Sequence, residues 1–200
     1  MSIILNEKLY GLVLTGGQSS RMGIDKSTIE YHGLPQRDYL ISLLKQVCDD
    51  VFLSVHTNED AIALNNIKTI VDKNHYLGPF NGLYSAHLEH PDVVWFVVAC
   101  DMPFLDLDAL MYLKNNRNKQ KLATAYCKID SEFPEPLCTI WESNSFQQAE
   151  AFFTKGEGAS PSKFLQTIDI ECVYPKNDRV LMNVNTLEEF QTAKKLIDLK

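Results

Sequence analysis

The longest uninterrupted apolar run of the chain, residues 93–100, is the feature that most limits what this sequence can fold into. It is far too short to span a bilayer. An unbroken apolar run of this length is typical of a central parallel strand covered on both faces, so residues 93–99 are predicted to form one. Pro103 follows shortly afterwards, and proline cannot continue a central strand. The strand is therefore predicted to end just before Asp101.

Apolar patterns elsewhere predict alternating strands and helices. Strands are predicted at residues 9–14, 51–55, 67–71, 93–99, 122–126, 137–141 and 170–174. Helices are predicted at residues 39–47, 59–64, 107–113, 144–153, 161–165 and 187–199, and one more follows a turn at residues 78–82. This alternation implies an α/β fold with a mostly parallel sheet, right-handed crossovers and helices on both faces. Because no repeat or linker interrupts the pattern, residues 1–200 are predicted to form one domain.

Composition and charge restrict the class of function. The chain of 200 residues is 45% hydrophobic and 22% charged, which is typical of a soluble globular protein. Its formal net charge of −7 argues against nucleic acid as a partner, because a nucleic-acid-binding surface has to neutralise phosphates. A small anionic ligand is compatible with this charge, since a few cationic side chains and N–H groups can bind it in a cleft. The N-terminus shows no secretory signal, so a cytoplasmic protein without a membrane partner is predicted.

The cysteines and histidines show no pattern of a disulfide framework or metal site. The cysteines include no Cys-x-x-Cys pair, and all are predicted to be buried, reduced thiols that act as small hydrophobic side chains. They are Cys48, Cys100, Cys127, Cys138 and Cys172. His87 and His90 have the spacing of helix neighbours, but no third ligand accompanies them. They are interpreted as surface or helix-end residues.

The stretch richest in chemistry is residues 12–26, Leu-Val-Leu-Thr-Gly-Gly-Gln-Ser-Ser-Arg-Met-Gly-Ile-Asp-Lys. Gly16 and Gly17 follow a predicted buried strand, where glycine permits close approach of a ligand and N–H groups can form an anion-binding nest. Arg21 and Lys26 lie close enough to face the same anion. The spacing matches neither Gly-x-x-x-x-Gly-Lys-[Ser/Thr] nor Gly-x-Gly-x-x-Gly, which disfavours a P-loop kinase or GTPase. A flexible polar loop without a ligand is the alternative interpretation.

Two aspartates are predicted at the carboxyl edge of the sheet, where open α/β folds bind ligands. Asp101 follows the central strand and is a natural Mg²⁺ ligand beside phosphates. The alternative is a helix N-cap, although Asp106 is better placed for that role. Asp72 follows the strand predicted at residues 67–71 and could accept a hydrogen bond from a base or ribose, or simply form a turn.

Two loops have a ligand-binding interpretation and a structural one. Gly78-Pro-Phe-Asn-Gly82 brings flexible backbone to a helix N-terminus, either as a ligand loop or as a turn. In Asn183-Val-Asn-Thr186, the amides could bind a ligand or metal, or Asn185 or Thr186 could cap the last helix.

Together these motifs resemble the molybdenum cofactor guanylyltransferase (MobA-like) family of nucleotidyltransferases. The resemblance covers roughly residues 8–198 and rests on five motifs in order. They are Leu-Thr-Gly-Gly-x-Ser-x-Arg-Met-Gly-x-Asp-Lys at 14–26, Gly-Pro-x-x-Gly-Leu at 78–83, Cys-Asp-Met-Pro-Phe at 100–104, Glu-Pro-Leu at 135–137 and Asn-Val-Asn-Thr at 183–186. The resemblance implies a three-layer α/β/α, Rossmann-like nucleotide-diphospho-sugar transferase fold.

The resemblance also implies an activity and a set of site residues. The activity is transfer of GMP from GTP to the phosphate of molybdopterin, with Mg²⁺ and with proteins of molybdenum cofactor biosynthesis as partners. Nucleotide contacts are expected from Leu14, Thr15, Gly16, Gly17, Lys26, Ser54, Asp72, Gly78, Gly82 and Asp101. Lys26, Arg21 and Asp101 are the expected catalytic residues, and Asp101 the metal ligand. Asn183 and Asn185 are expected on the molybdopterin side.

Two positions depart from the family pattern. Ser54 stands where many members have an asparagine that contacts the nucleotide, and Leu187 stands where a proline is common. Related activities remain open alternatives, namely cytidylyl transfer to molybdopterin and nucleotidyl transfer to a sugar phosphate. A nucleotide-binding regulatory protein without turnover is another. The acceptor phosphate is ionised at neutral pH, so the chemistry requires alignment and charge neutralisation rather than a general base.

Overall fold

The computed structural model describes residues 7–15, 25–64, 66–76, 78–128, 131–154 and 160–199. Seven strands in this part of the chain form one sheet. They are β1 (Leu9–Leu14), β2 (Asp50–Val55), β3 (Thr69–Val71), β4 (Val94–Ala99), β5 (Ala123–Lys128), β6 (Ser131–Trp141) and β7 (Ile170–Val173). The helices are α1 (Gln36–Leu44), α2 (Asn58–Ala63), α3 (Pro79–Glu89), α4 (Leu107–Asn115), α5 (Ser145–Thr154), α6 (Pro161–Leu165) and α7 (Leu187–Asp198).

The sheet has the order β3-β2-β1-β4-β6-β5-β7. β1 pairs in parallel with β2 and β4, β2 with β3, and β5 with β7. Only β6 runs against its neighbours, β4 and β5. The prediction of a mostly parallel sheet is confirmed. Because β1 to β4 are parallel, their carboxyl ends lie at one edge, and the residues that follow them are brought together there.

Helices cover both faces of the sheet, which confirms the predicted three-layer fold. α1 packs on β1 and β2 and contacts α4. On the opposite face, α3 packs on β1 to β3 and contacts α5 and α6 through aromatic pairs such as His87–Phe146 and Phe80–Phe164. β1 shows both contacts, since Gly11 faces Leu44 of α1 while Leu14 faces Gly82 of α3.

β4 is the centre of the core, as its apolar sequence predicted. All six of its residues are buried, and Trp95 and Phe96 are completely so. It lies between β1 and β6, and the burial of all six residues shows that both of its faces are covered. None of the helices in the described ranges combines the length and apolar character needed to cross a bilayer.

Three elements begin three or more residues before their predicted start. α1 begins at Gln36, because the buried Gln36 side chain donates to the Met102 carbonyl oxygen, a tertiary contact that apolar spacing does not show. α3 begins at Pro79, so Gly82 lies inside a helix rather than in a turn. β6 begins at Ser131 instead of residue 137, because its prolines are accommodated at an irregularity in the pairing with β5.

The prediction that all five cysteines are reduced was wrong. Cys127 at the end of β5 and Cys172 in β7 are joined by a disulfide, with their Cα atoms 5.7 Å apart. The parallel pairing of β5 with β7 brings together two cysteines separated by 45 residues in the chain, which spacing alone does not reveal. Cys100 and Cys138 are buried free thiols, as predicted.

At the opposite end of the sheet, an ion pair ties three segments together. Arg117 donates from Nε to Glu142 Oε1 and from an Nη atom to Glu142 Oε2, both over 2.6 Å. The same Nη atom donates to Glu7 Oε2 over 2.7 Å. The side chains of Arg117 and Glu142 are 9% and 5% exposed. This ion pair lies at the amino end of β4, far from the edge that carries the predicted site residues.

Candidate functional site

Three polar residues at the carboxyl ends of β1, β2 and β3 are connected by hydrogen bonds. Thr15 follows β1, and its Oγ1 donates over 3.0 Å to the carbonyl oxygen of Ser54 in β2. Ser54 Oγ in turn donates over 3.1 Å to Asp72 Oδ1. Asp72 follows β3, and its N–H donates over 2.9 Å to the Val55 carbonyl oxygen. Thr15, Ser54 and Asp72, all predicted nucleotide contacts, therefore form one hydrogen-bonded row.

His56 belongs to this row and was not predicted from the sequence. Its Nδ1 lies 3.0 Å from Asp72 Oδ2. An ionised carboxylate only accepts hydrogen bonds, so Nδ1 is the donor when Asp72 is charged. The Asp72 side chain is 8% exposed and the His56 ring 52%. Asp72 is thus held from two sides. The available signal was a histidine directly after a predicted strand, at the edge where α/β folds bind ligands.

Gly78 and Gly82 serve two different purposes. Gly78 caps the amino end of α3 with φ 74° and ψ −164°, a conformation that is essentially restricted to glycine. Gly82 lies within α3, directly over Ser54. A methyl group at Gly82 would overlap Ser54 Oγ and come within 3.0 Å of Leu14 Cδ2. The missing side chain lets α3 approach the ends of β1 and β2.

This close approach predicts a specific loss of stability for Gly82→Ala. The added methyl group has to displace Ser54 Oγ, and overpacking of this kind costs about 1–3 kcal/mol of the free energy of unfolding. Urea unfolding measures the loss. Because Ser54 Oγ is the atom overlapped, the double variant Gly82→Ala/Ser54→Ala should recover most of it. Additive losses in the double variant would show that the two residues do not meet.

Lys26 and Asn185 form the second half of the site. Lys26 Nζ donates over 2.6 Å to Asn185 Oδ1, a contact between residues 159 positions apart. Asp25 accepts from Ser27 N–H over 2.9 Å and so caps the short 3₁₀ turn that carries Lys26. Thr186 is the N-cap of α7, with Glu189 completing a capping box. Asn185 is therefore not the cap, and its side chain faces Lys26.

The same segment is joined to the end of β4. The Val184 N–H donates over 2.7 Å to the carbonyl oxygen of Asp101. A small apolar cluster contains Tyr31, Phe104 and Val184, one residue from each of the three segments that carry site residues. The cluster packs these segments together. Lys26, Asp101 and Asn185 are thereby brought to one place. Asp106 caps α4 by accepting from Ala109 N–H, so Asp101 is not needed for that role.

Asp101 lies in an environment that disfavours its charge. Burial raises the pKa of Asp101 above the ordinary aspartate value, and the nearby positive charge of Lys26 opposes this increase. Burial, followed by the charge of Asp101, raises the pKa of Tyr31 to about 12. Within the described residues, Asp101 Oδ1 and Asn183 Oδ1 are buried and have no hydrogen-bond partner.

These two oxygen atoms are of the chemical type that Mg²⁺ takes as ligands. Mg²⁺ takes oxygen ligands, with one or two carboxylates and the remaining positions left to phosphates and water. A carboxylate oxygen and an amide oxygen without partners supply that donor chemistry, and a divalent cation would offset the cost of burying the Asp101 charge. The metal role of Asp101 stays a prediction.

The structure thus places most predicted site residues in two neighbouring groups at one sheet edge. The first group contains Leu14, Thr15, Ser54, Asp72, Gly78 and Gly82, and the second contains Lys26, Asp101, Asn183 and Asn185. Gly16, Gly17 and Arg21 lie outside the described residues. The roles assigned to these three residues, like those assigned to the residues of the two groups, stay predictions.

Comparison with known proteins adds to this geometry. The model of the family described as "MobA-like NTP transferase domain" matches residues 11–170. A molybdenum cofactor guanylyltransferase of Pseudomonas fluorescens is 30% identical over 90% of this chain and 91% of its own length. A molybdenum cofactor biosynthesis bifunctional protein of Synechocystis sp. is 36% identical over 91% of this chain. The chain spans about half of that longer relative, 52%.

Solved structures share the fold. The molybdopterin-guanine dinucleotide biosynthesis protein A of Archaeoglobus fulgidus superposes with a TM-score of 0.79 at 18% identity, covering 96% of this chain and 100% of its own. A nucleotidyl transferase of Methanothermobacter superposes with a TM-score of 0.78 at 10% identity, over 96% and 98% of the two chains. At these identities the likeness shows the fold alone.

Proposed function

The chain belongs to the MobA-like NTP transferase family, and from this premise we propose that it transfers GMP from GTP to the phosphate of molybdopterin. The products are the guanine dinucleotide form of the cofactor and pyrophosphate. Relatives that match nearly the whole chain carry the name molybdenum cofactor guanylyltransferase, which supports this acceptor and this nucleotide. A cytoplasmic location, and partners among the proteins of molybdenum cofactor biosynthesis, are part of the proposal.

The observation that carries the proposal is the grouping of Lys26, Asp101 and Asn185. Lys26 comes from the short 3₁₀ turn, Asp101 follows β4 and Asn185 lies in the segment before α7. The fold alone does not require a cation, a carboxylate and an amide from three distant segments to lie together. They are the groups that a metal-bound triphosphate and an incoming phosphate require.

The proposed reaction makes use of these positions. An oxygen of the acceptor phosphate attacks the α-phosphorus of GTP, and the bond from that phosphorus to the oxygen bridging to the β-phosphate breaks. Pyrophosphate leaves with the electron pair. The nucleophile is already ionised, so no side chain has to remove a proton. Lys26 offsets negative charge on the phosphates, and the Thr15–Ser54–Asp72 row positions the nucleoside.

Magnesium is part of the proposal. Asp101 and Asn183 would hold Mg²⁺, which supplies positive charge to the phosphate oxygens during transfer. Asn185 orients Lys26 through its Oδ1, leaving the other Lys26 N–H bonds for phosphate. Catalysis then reduces to alignment and charge neutralisation, in agreement with a site that is rich in polar contacts and has no nucleophilic triad among the residues grouped here.

Product analysis tests the proposal. The protein is incubated with GTP, Mg²⁺ and molybdopterin, and the products are separated and weighed by mass spectrometry. The guanine dinucleotide and an equal amount of pyrophosphate are expected. A parallel incubation with CTP is expected to give no dinucleotide. Transfer from CTP in preference to GTP would overturn the base assignment, and no transfer from either nucleotide would overturn the activity.

A further inference from the structure

The strand β6 carries an irregularity beside the proposed site. Its pairing with β5 matches Ala125 with Thr139, and the next pair matches Cys127 with Pro134. Between these pairs, β5 contributes one residue and β6 contributes four, residues 135–138. Bulges of this kind often lie next to active sites, where they redirect a side chain.

Glu135 is the charged residue of this bulge, and its own atoms stabilise the bulge. Its Oε1 accepts a hydrogen bond of 3.0 Å from the Leu137 N–H. Its carbonyl oxygen accepts one of 2.5 Å from Thr139 Oγ1. The residue is half-buried. The carboxylate is therefore held in a fixed orientation rather than extended into solvent.

The pairing with β4 places this carboxylate next to Asp101. β4 and β6 are antiparallel, and their last pair is Val98 with Cys138. Asp101 and Glu135 each lie three residues beyond this pair, at the same end of the two strands. The two charges interact: burial raises the pKa of Glu135, and the charge of Asp101 adds to the increase, while the Leu137 N–H and Lys128 oppose it.

The order of the strands indicates which substrate lies near Glu135. Thr15 follows β1, Ser54 lies in β2 and Asp72 follows β3, and these three strands lie on one side of β4. β6 neighbours β4 on the other side. With the nucleoside over β1 to β3 and the transferred phosphorus near Asp101, Glu135 lies on the acceptor side.

Charge then restricts what Glu135 can bind. A carboxylate repels the phosphates of both substrates, so a useful contact has to come from a part of the acceptor that donates hydrogen bonds. The 2-amino-4-oxo ring of a pterin offers such an edge, with neighbouring ring N–H and amino groups that match the two oxygens of a carboxylate. Hydrogen bonds to a charged acceptor are the strong ones.

We propose that Glu135 is an acceptor-binding residue, whose carboxylate accepts hydrogen bonds from the N–H edge of the pterin in molybdopterin. This inference rests on the proposed guanylyl transfer to molybdopterin. It adds a specificity-determining residue on β6, opposite the nucleotide side of the site.

Steady-state kinetics of Glu135→Gln test the inference. Glutamine keeps the shape and an oxygen for the Leu137 N–H but removes the charge and one acceptor. We expect the KM for molybdopterin to rise about 10- to 100-fold, because a charge-assisted hydrogen bond is lost. The KM for GTP should change by less than about twofold. Glu171→Gln is the matched control, because Glu171 is a half-buried glutamate on β7 that accepts a hydrogen bond from Asn118. The strand pairing aligns Glu171 with Phe96 of β4, away from Asp101.

Two further measurements separate this role from others. Mn²⁺ binding to the GTP complex, followed by electron paramagnetic resonance, should be the same in Glu135→Gln and wild type. The melting temperature should be equal to or above that of wild type, because burial and the charge of Asp101 raise the pKa of Glu135. Weakened Mn²⁺ binding would make Glu135 a metal ligand and overturn the inference. An unchanged KM for molybdopterin would also overturn it, whatever the melting temperature. If wild-type protein forms no dinucleotide, the proposed function fails first and the inference falls with it.

Discussion

Asp101→Asn should lower kcat for dinucleotide formation by about 100- to 1,000-fold, the usual effect of removing one preorganised charge-stabilising group. Asparagine has the same shape but lacks the negative charge that would hold a divalent cation. The buried Asp101 Oδ1 has no partner within the described residues, so the change breaks no hydrogen bond of that atom. The loss should therefore appear in turnover and in Mn²⁺ binding.

The same substitution should leave stability unchanged or improve it. Burial raises the pKa of Asp101, so its ionisation opposes folding. This cost is absent below the ordinary aspartate pKa and fully present above the raised one. Asparagine removes the cost, and the melting temperature at neutral pH should be equal to or above that of wild type. Asp106→Asn is the control, because asparagine caps a helix as well as aspartate does and both activity and stability should persist. Full activity in Asp101→Asn would remove this residue from the mechanism.

Glu142→Gln should lower the free energy of unfolding by about 3–5 kcal/mol, the range for breaking a buried ion pair. Arg117 is 9% exposed and would keep only Glu7, whose side chain is 33% exposed. The loss should be visible in urea unfolding. Because the pair lies at the amino end of β4, the KM for GTP of the folded protein should not change.

Two further variants test whether the loss of stability comes from the buried ion pair. Asp169→Asn breaks the pair with Lys121, in which Asp169 is 68% exposed, and should cost less than about 1 kcal/mol. Replacing both buried partners, as Arg117→Met/Glu142→Leu, should recover part of the loss, since no unpaired charge then remains. A loss in Glu142→Gln as small as that in Asp169→Asn would show that the ion pair is not a major source of stability.

The elements that could be predicted are those whose pattern is local. β4 was evident from one apolar run, and the Asp106 cap from one side chain before a helix. β6 was predicted six residues too short, because Pro134 and Pro136 argue against a strand unless a bulge accommodates them. The start of α1 depends on Gln36 reaching Met102, and the Cys127–Cys172 disulfide depends on strand pairing. Neither contact is visible in spacing.

The candidate site divides in the same way. Its individual residues followed from the motifs, because glycine, lysine and aspartate after predicted strands point to one sheet edge. Their partners did not. The Lys26–Asn185 contact and the binding of Asp72 by His56 depend on how distant segments pack. In the sequence, Glu135 is one residue of the Glu-Pro-Leu motif, and its position near Asp101 depends on how β6 pairs with β4.

In the proposed mechanism, Lys26 and Asp101 meet around one metal-bound triphosphate. A crystal structure of the protein with GTP and Mn²⁺, with the metal located by anomalous scattering, tests it most directly. We predict a Mn²⁺ peak bound to Asp101, with Lys26 on the phosphates and the guanosine beside Ser54 and Asp72. A triphosphate bound elsewhere, with Asp101 and Lys26 in separate clefts, would contradict the account.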